Sequence, residues 1–138
     1  MAVEGFRFSI SQPVVPRDLD GFDHVNNAVY LTYVENGRVA YLKEVVGAVT
    51  REQIRNVMAG ASIEFRAPLS YGDTVEIAVR TKSIGGKSFQ LEYRLVRQDG
   101  EVVAEASSAQ VMFDFDAGRA IEVPEDWRRA IAEHEGWS

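Results

Sequence analysis

Apolar and polar positions alternate with a period of two over several stretches of this chain, and one long stretch between them follows a helical period. Phe6, Phe8 and Ile10 alternate with Arg7 and Ser9, the signature of a half-buried strand over 6–15, with Pro13 and Pro16 limiting how regularly its end can pair. A polar loop follows over 17–27. From 28 to 46 the spacing predicts a helix. Tyr30, Val34, Tyr41 and Val45 lie near one stripe, and Leu31 and Leu42 widen it. Asn26 or Asn27 is the N-cap and Gly47 the C-terminal stop. Gly37 inside this helix costs about 1 kcal/mol against alanine, which close packing of the helix on a sheet would explain. A short irregular or helical piece covers 50–55.

The rest reads as a meander. Ala59, Ala61, Ile63 and Phe65 alternate until Pro68. Val75, Ile77 and Val79 alternate with Glu76, Ala78 and Arg80. Phe89, Leu91, Tyr93 and Leu95 do so with Gln90, Glu92 and Arg94. A last long strand runs over 102–115. The turns between them are 69–73, Gly85-Gly86-Lys87 and the Asp99-Gly100 hairpin signal. A terminal helix over 124–135 starts near Pro124. One long helix against one antiparallel sheet is an α+β layer arrangement. Apolar residues cover more than half the helix circumference, so the sheet is expected to curl around it.

At 138 residues the chain is expected to be a single domain over 1–138. Its 46% hydrophobic and 26% charged residues are those of an ordinary globular protein. A net charge of −6 argues against a general nucleic-acid binder and against attraction to anionic membranes. There is no cysteine, which removes disulfides, thiolate metal sites and cysteine nucleophiles. No basic region followed by an apolar run opens the sequence, and no apolar stretch approaches the ~18 residues of a membrane span, so the expected location is the cytoplasm.

The chemistry concentrates in the loop before the long helix. Asp18, Asp20, Asp23 and His24 crowd into it, directly ahead of Asn26 and Asn27. A helix start offers free backbone N–H groups to a developing oxyanion, and a carboxylate beside it can attack or activate water. Asp20 reads either as that carboxylate or as a loop aspartate bonding its own backbone. Asp23 reads as a turn former or as a second site carboxylate, and His24 as a base or as a support for the loop. Asp18 reads as structural. Glu35 either pairs with Arg38 or Arg66 or lines the site. No metal spacing is recognisable, since the other histidine is His134 in the terminal segment. Arg66, Arg80, Lys82 and Lys87 form either a solvated strand face or phosphate contacts. Lys87 and Ser88 are the favoured pair for a phosphate, beside a glycine turn that a ligand can approach.

These residues resemble a known pattern, Asp-x-Asp-x-x-Gly-His-Val-Asn-Asn followed by Tyr-Leu-x-Tyr-x-Glu. Here it reads from Asp18 and Asp20 through His24, Val25, Asn26 and Asn27 to Tyr30, Leu31, Tyr33 and Glu35. Arg66-Ala67-Pro68-Leu69, Gly72-Asp73 and the run from Ile84 to Phe89 match as well. The pattern is that of hotdog-fold acyl-CoA thioesterases, the 4-hydroxybenzoyl-CoA thioesterase-like family. The resemblance implies a five-stranded antiparallel sheet wrapped around a long central helix. It implies a homodimer, often paired into a homotetramer, with active sites at the dimer interface. It implies Asp20 as the catalytic carboxylate and the Asn27 N–H as the group that polarises the thioester carbonyl. Asp23, His24, Lys87 and Ser88 are then expected to bind substrate, an acyl thioester of coenzyme A or of acyl carrier protein. No cofactor or metal is implied. One position departs from the pattern: Asp23 stands where the family usually has glycine. Two other readings stay in view, a hotdog acyl-thioester hydratase or dehydratase using His24, and a non-catalytic acyl-CoA-binding protein.

Overall fold

The computed structural model describes residues 2–137. In chain order the elements are β1 (Phe8–Pro13), α1 (Asn27–Val46), β2 (Asn56–Phe65), β3 (Thr74–Ile84), β4 (Ser88–Arg97), β5 (Val102–Asp114), the two-residue β6 (Arg119–Ala120) and α2 (Glu125–Glu135). The long strands form one antiparallel sheet in the order β1-β3-β4-β5-β2, with β6 pairing only β5. The five-stranded sheet and the long central helix are those expected. No helix among the described residues is long and apolar enough to cross a membrane.

The period-two residues decide which face of the sheet meets α1. Ile77, Val79, Leu91, Tyr93 and Leu95 are buried on the helix side. The helix answers with Tyr30, Tyr33, Val34, Gly37, Tyr41 and Leu42. Gly37 is the point of closest approach: an added Cβ would lie 2.6 Å from Ile77 Cγ2 and 3.0 Å from Val79 Cγ2. The expectation of close packing therefore holds. Leu31 does not join the buried stripe, because it turns away from the sheet and stays 39% exposed.

The helix ends follow the capping residues. Asn26 is the N-cap, and its side chain accepts from the Ala28 N–H at 2.9 Å. Gly47 closes the helix in the left-handed region, at φ 70°. A single 3-10 turn that Pro16 opens covers 16–18 and so takes in the first two residues of the loop expected over 17–27. β2 starts three residues earlier than the alternation suggests. A register shift between Met58 and Gly60 inserts an extra residue, which breaks the period of two on that strand. α2 docks on the far half of α1, where Tyr41 Oη donates to the Glu135 carboxylate and the Thr81 N–H donates to the same carboxylate.

Candidate active site

The loop between β1 and α1 is pinned before it reaches the helix. Asp18 is buried, and its Oδ2 accepts from the Val15 N–H at 3.1 Å and from Tyr33 Oη at 2.8 Å. Burial and this carboxylate together raise the Tyr33 phenol well above its ordinary range, so it stays a donor. The structural reading of Asp18 is the one observed. The chain then folds back on itself. The Asp20 N–H donates to the His24 carbonyl at 2.8 Å, and the Asn26 N–H donates to the Asp18 carbonyl at 2.9 Å. Within that turn Asp20 Oδ1 accepts from the Phe22 N–H at 2.8 Å. Asp20 thus makes the local turn bond with one oxygen and leaves the second without a partner among the described residues.

Asp23 sits at φ 62°, the one non-glycine residue at positive φ among those described. This is the conformation a glycine would take without strain and an aspartate tolerates. The departure from the pattern therefore keeps the backbone path and adds an exposed carboxylate. His24 is exposed as well, and it bridges to Ser70 in the facing turn.

Asp20, His24 and Asn27 share a cleft of about 290 Å³ with Tyr30, Phe65 and Arg66; its wall is completed by Ala67 and Pro68. The Asn27 N–H, at the first position of α1, has no acceptor among the described residues, and the helix dipole adds partial positive charge there. The wall is held through its main chain. The Ala67 carbonyl accepts from Tyr30 Oη at 3.2 Å, the Pro68 carbonyl from Arg97 at 2.8 Å, and the Leu69 carbonyl from the Val25 N–H at 2.8 Å. Three different elements, α1, β4 and the motif loop, thus each grip one carbonyl. Arg97 is fixed in turn by two bonds to Asp99, at 3.0 and 2.8 Å.

The expected phosphate pair is not brought to this cleft within one chain. Phe65 lies opposite Ala104 on β5, whereas Ser88 lies opposite Val111, seven residues further along. At ~3.3 Å per residue the separation is about 23 Å. Lys87 is exposed in the turn between β3 and β4. The carbonyls of Gly85 and Gly86 beside it are taken by Arg128 of α2, at 2.6 and 3.0 Å. Arg66 faces the Asp20 cleft but pairs with Glu64 and Glu105. A second and larger cleft, about 800 Å³, opens at the Ser88 end of the sheet, with Arg51 and Arg55 among its lining residues. Neither arginine stands out in the sequence, because the segment over 50–55 has no periodicity to set its side chains apart. Among the described residues, no cluster of three His, Asp or Glu side chains is placed to hold a metal ion.

With this geometry in place, the comparisons with known proteins agree in direction. The pattern of the thioesterase-like superfamily matches residues 14–131. The long-chain acyl-CoA thioesterase FadM of Escherichia coli (strain K12) is 28% identical over 116 residues, covering 82% of this chain and 88% of that protein. The crystal structure of a thioesterase from Thermus thermophilus, complexed with coenzyme A and Zn, matches with a TM-score of 0.86 at 31% identity, over 99% of both chains. A 4-hydroxybenzoyl-CoA thioesterase mutant complexed with 4-hydroxybenzoyl-CoA matches with a TM-score of 0.80 at 22% identity, over 90% of this chain and 97% of that one, a likeness of fold.

Proposed function

This chain belongs to the thioesterase-like superfamily, and from that premise we propose that it hydrolyses acyl thioesters of coenzyme A at the cleft beside Asp20. It is a thioester hydrolase. The observation that carries the site assignment is the pairing of one free Asp20 oxygen with the unpartnered Asn27 N–H in the same cleft. The thioester carbonyl sits over the start of α1. Its oxygen takes the N–H and the helix dipole as charge develops. Asp20 then serves in one of two ways. It attacks the carbonyl carbon, expels the coenzyme A thiolate and leaves a mixed anhydride that water cleaves, or it takes a proton from the water that attacks. In the base route Asp20 hands the water proton on to the leaving thiolate; in the anhydride route the thiolate leaves unprotonated and takes its proton from solvent, and either way the acid is released as carboxylate with its proton lost to solvent. His24 shapes the turn through its carbonyl bond to the Asp20 N–H.

Asp20→Asn in a normally folded protein is expected to lower kcat by about 10²–10⁴-fold while KM changes little. Wild-type turnover in that variant would remove Asp20 from the mechanism. A single turnover in ¹⁸O water gives a positive test of the first route: label in the Asp20 carboxyl group arises only from an anhydride cleaved at the Asp20 carbonyl, whereas cleavage at the acyl carbonyl and the base route both label the released acid.

The same reading takes the protein as a homodimer joined along β2. That strand ends the sheet, and 57–63 carry no charged residue. Most of the strand is exposed, with Val57 and Phe65 among the exposed apolar residues. Uncovered, an edge of this kind invites association. Antiparallel pairing with a second copy satisfies its open ladder. It also lets one substrate reach both the Asp20 cleft of one copy and the Lys87–Ser88 turn of the other, which a single chain keeps apart.

A further inference from the structure

Arg66 has two places to put its charge. It is the one arginine or lysine lining the Asp20 cleft, and it also lines a cleft of about 370 Å³ on the face of the sheet turned away from α1. No other residue is shared by the two. In the structure its guanidinium is drawn to the outer face, where Nη2 donates to Glu64 at 2.9 Å and to Glu105 at 3.2 Å. Three arginines and three glutamates line that outer cleft. Arg80 pairs with Glu92 at 2.9 Å, and Glu105 Oε1 accepts from Arg94 Nε at 3.2 Å, so Glu105 bridges two cations. Arg94 is fixed from behind. It donates to the Glu4 carbonyl at 3.3 Å and lies 5.2 Å from the centroid of the Phe6 ring, which Arg80 also covers at 4.4 Å. Val3 anchors the turn that carries Phe6, since it is buried against Ala78 and Val96. Glu105 is thereby held in place, whereas the half-exposed Arg66 guanidinium is held by two carboxylates alone.

On the cleft side of Arg66 stands Asp20, with its second oxygen unpartnered among the described residues. A guanidinium and a free carboxylate in one cleft of about 290 Å³ attract each other. The planar fork of an arginine can hold a carboxylate by two bonds at once, and such a pair would tie up the oxygen the reaction needs. Two carboxylates on the outer face compete with one in the cleft, and the guanidinium stays outside. We propose that Glu105, assisted by Glu64, is a positioning residue: it keeps the Arg66 charge on the outer face and so leaves the Asp20 oxygen free to act on the thioester. The proposal rests on the Asp20 reading of the reaction. Exposed ion pairs are individually weak, so the glutamates act by shifting the population of Arg66 positions.

The test removes both anchors. In the Glu64→Gln/Glu105→Gln protein, kcat for an acyl-CoA should fall about 3–10-fold, the scale set by exposed ion pairs. Adding Arg66→Gln should bring kcat back to that of Arg66→Gln alone, because the competing cation is gone. A merely structural role for the two glutamates predicts the opposite, a triple variant as slow as the double or slower. That result, or wild-type kcat in the double variant, overturns the proposal. Glu105→Asp, which keeps the charge, should retain most of the rate. A second readout needs no turnover. The Arg66 Nε–Hε resonance should move when the two glutamates are changed, and move again when Asp20→Asn is added to that protein. No response to Asp20→Asn overturns the pairing. A fully active Asp20→Asn protein would end the catalytic reading by itself, and the resonance tells that failure apart from this one.

Discussion

Gly37→Ala is the sharpest test of how α1 meets the sheet. Taken as a helix residue alone, the substitution should help, because alanine is favoured over glycine by about 1 kcal/mol in a helix interior. The structure reverses the sign. The added methyl would lie 2.6 Å from Ile77 Cγ2 and 3.0 Å from Val79 Cγ2, against the ~3.5–4.0 Å at which carbon atoms rest. Both neighbours are fully buried on the interior strand β3 and cannot swing away. The helix must lift by about 1 Å, and overpacking at contacts this short costs about 2–3 kcal/mol, the upper part of the usual range. After the propensity gain, a net loss of about 1–2 kcal/mol remains. For a chain of this size that lowers Tm by roughly 3–10 °C. Urea and thermal unfolding at one fixed protein concentration measure it, since assembly also moves Tm. A Gly37→Ala protein as stable as the parent, or more so, would refute the close approach. Ile77→Ala supplies the internal control. Alone it opens a cavity and costs about 2–5 kcal/mol. Combined with Gly37→Ala it makes room for the new methyl, so the double variant should lose less than the sum by about 1 kcal/mol.

Arg97→Ala frees the Pro68 carbonyl, and kcat should fall about 3–10-fold while Tm moves by only a few degrees, with Arg97→Lys recovering part of the rate; steady-state kinetics beside thermal scans decide it, and unchanged kcat would show that the wall needs no such grip. The Asp99 carboxyl is held below its ordinary value by the hydrogen bonds of Arg97, so its contribution is present above the unfolded value and is lost as pH falls through the folded one. Acid titration of the Arg97 side-chain resonances should therefore show the pair releasing below the usual aspartate range, and release at or above that range would contradict it. Asp23→Gly should stay within about 1 kcal/mol of the parent in urea unfolding, whereas Asp23→Val, forced into the left-handed region, should lose about 1–2 kcal/mol; equal stability of the two would rule out the positive φ. Tyr33→Phe leaves a buried carboxylate short of a donor and should cost about 1.5–3 kcal/mol by the same measurement, a loss under about 0.5 kcal/mol arguing against that bond.

What the sequence makes legible follows from which forces leave a mark on residue type. Burial does: the alternation over β3 and β4 places Ile77, Val79, Leu91 and Tyr93 on the helix face. Capping and tight turns do as well, hence Asn26, Gly47 and the Asp99-Gly100 hairpin. Gly37 is legible because only a close neighbour explains it. The start of β2 is not, since the extra residue near Ala59 shifts the phase of its alternation. Leu31 misleads because an apolar residue on a helix need not face its own sheet. Within the site, Asp20 and the helix start could be read from the crowding of polar residues. Arg97 could not, because it binds a main-chain carbonyl, and a carbonyl is the same whatever residue carries it. Arg51 and Arg55 were silent for another reason: a pair of arginines lines a cleft only when the end of β5 and the residue after it bring Phe113 and Phe115 alongside.

The wall of the Asp20 cleft is held by the carbonyls of Ala67, Pro68 and Leu69 rather than by side chains. Its shape is therefore largely independent of which residues occupy 66 and 67. The side chains of Arg66 and Ala67 border the cleft proposed to take the acyl group, yet none of the three gripping bonds uses them. On that proposal acyl preference can drift during evolution by single substitutions there, each leaving Asp20 and the Asn27 N–H where they were. A descendant with a different diet of thioesters needs no new loop, only new side chains on an old frame.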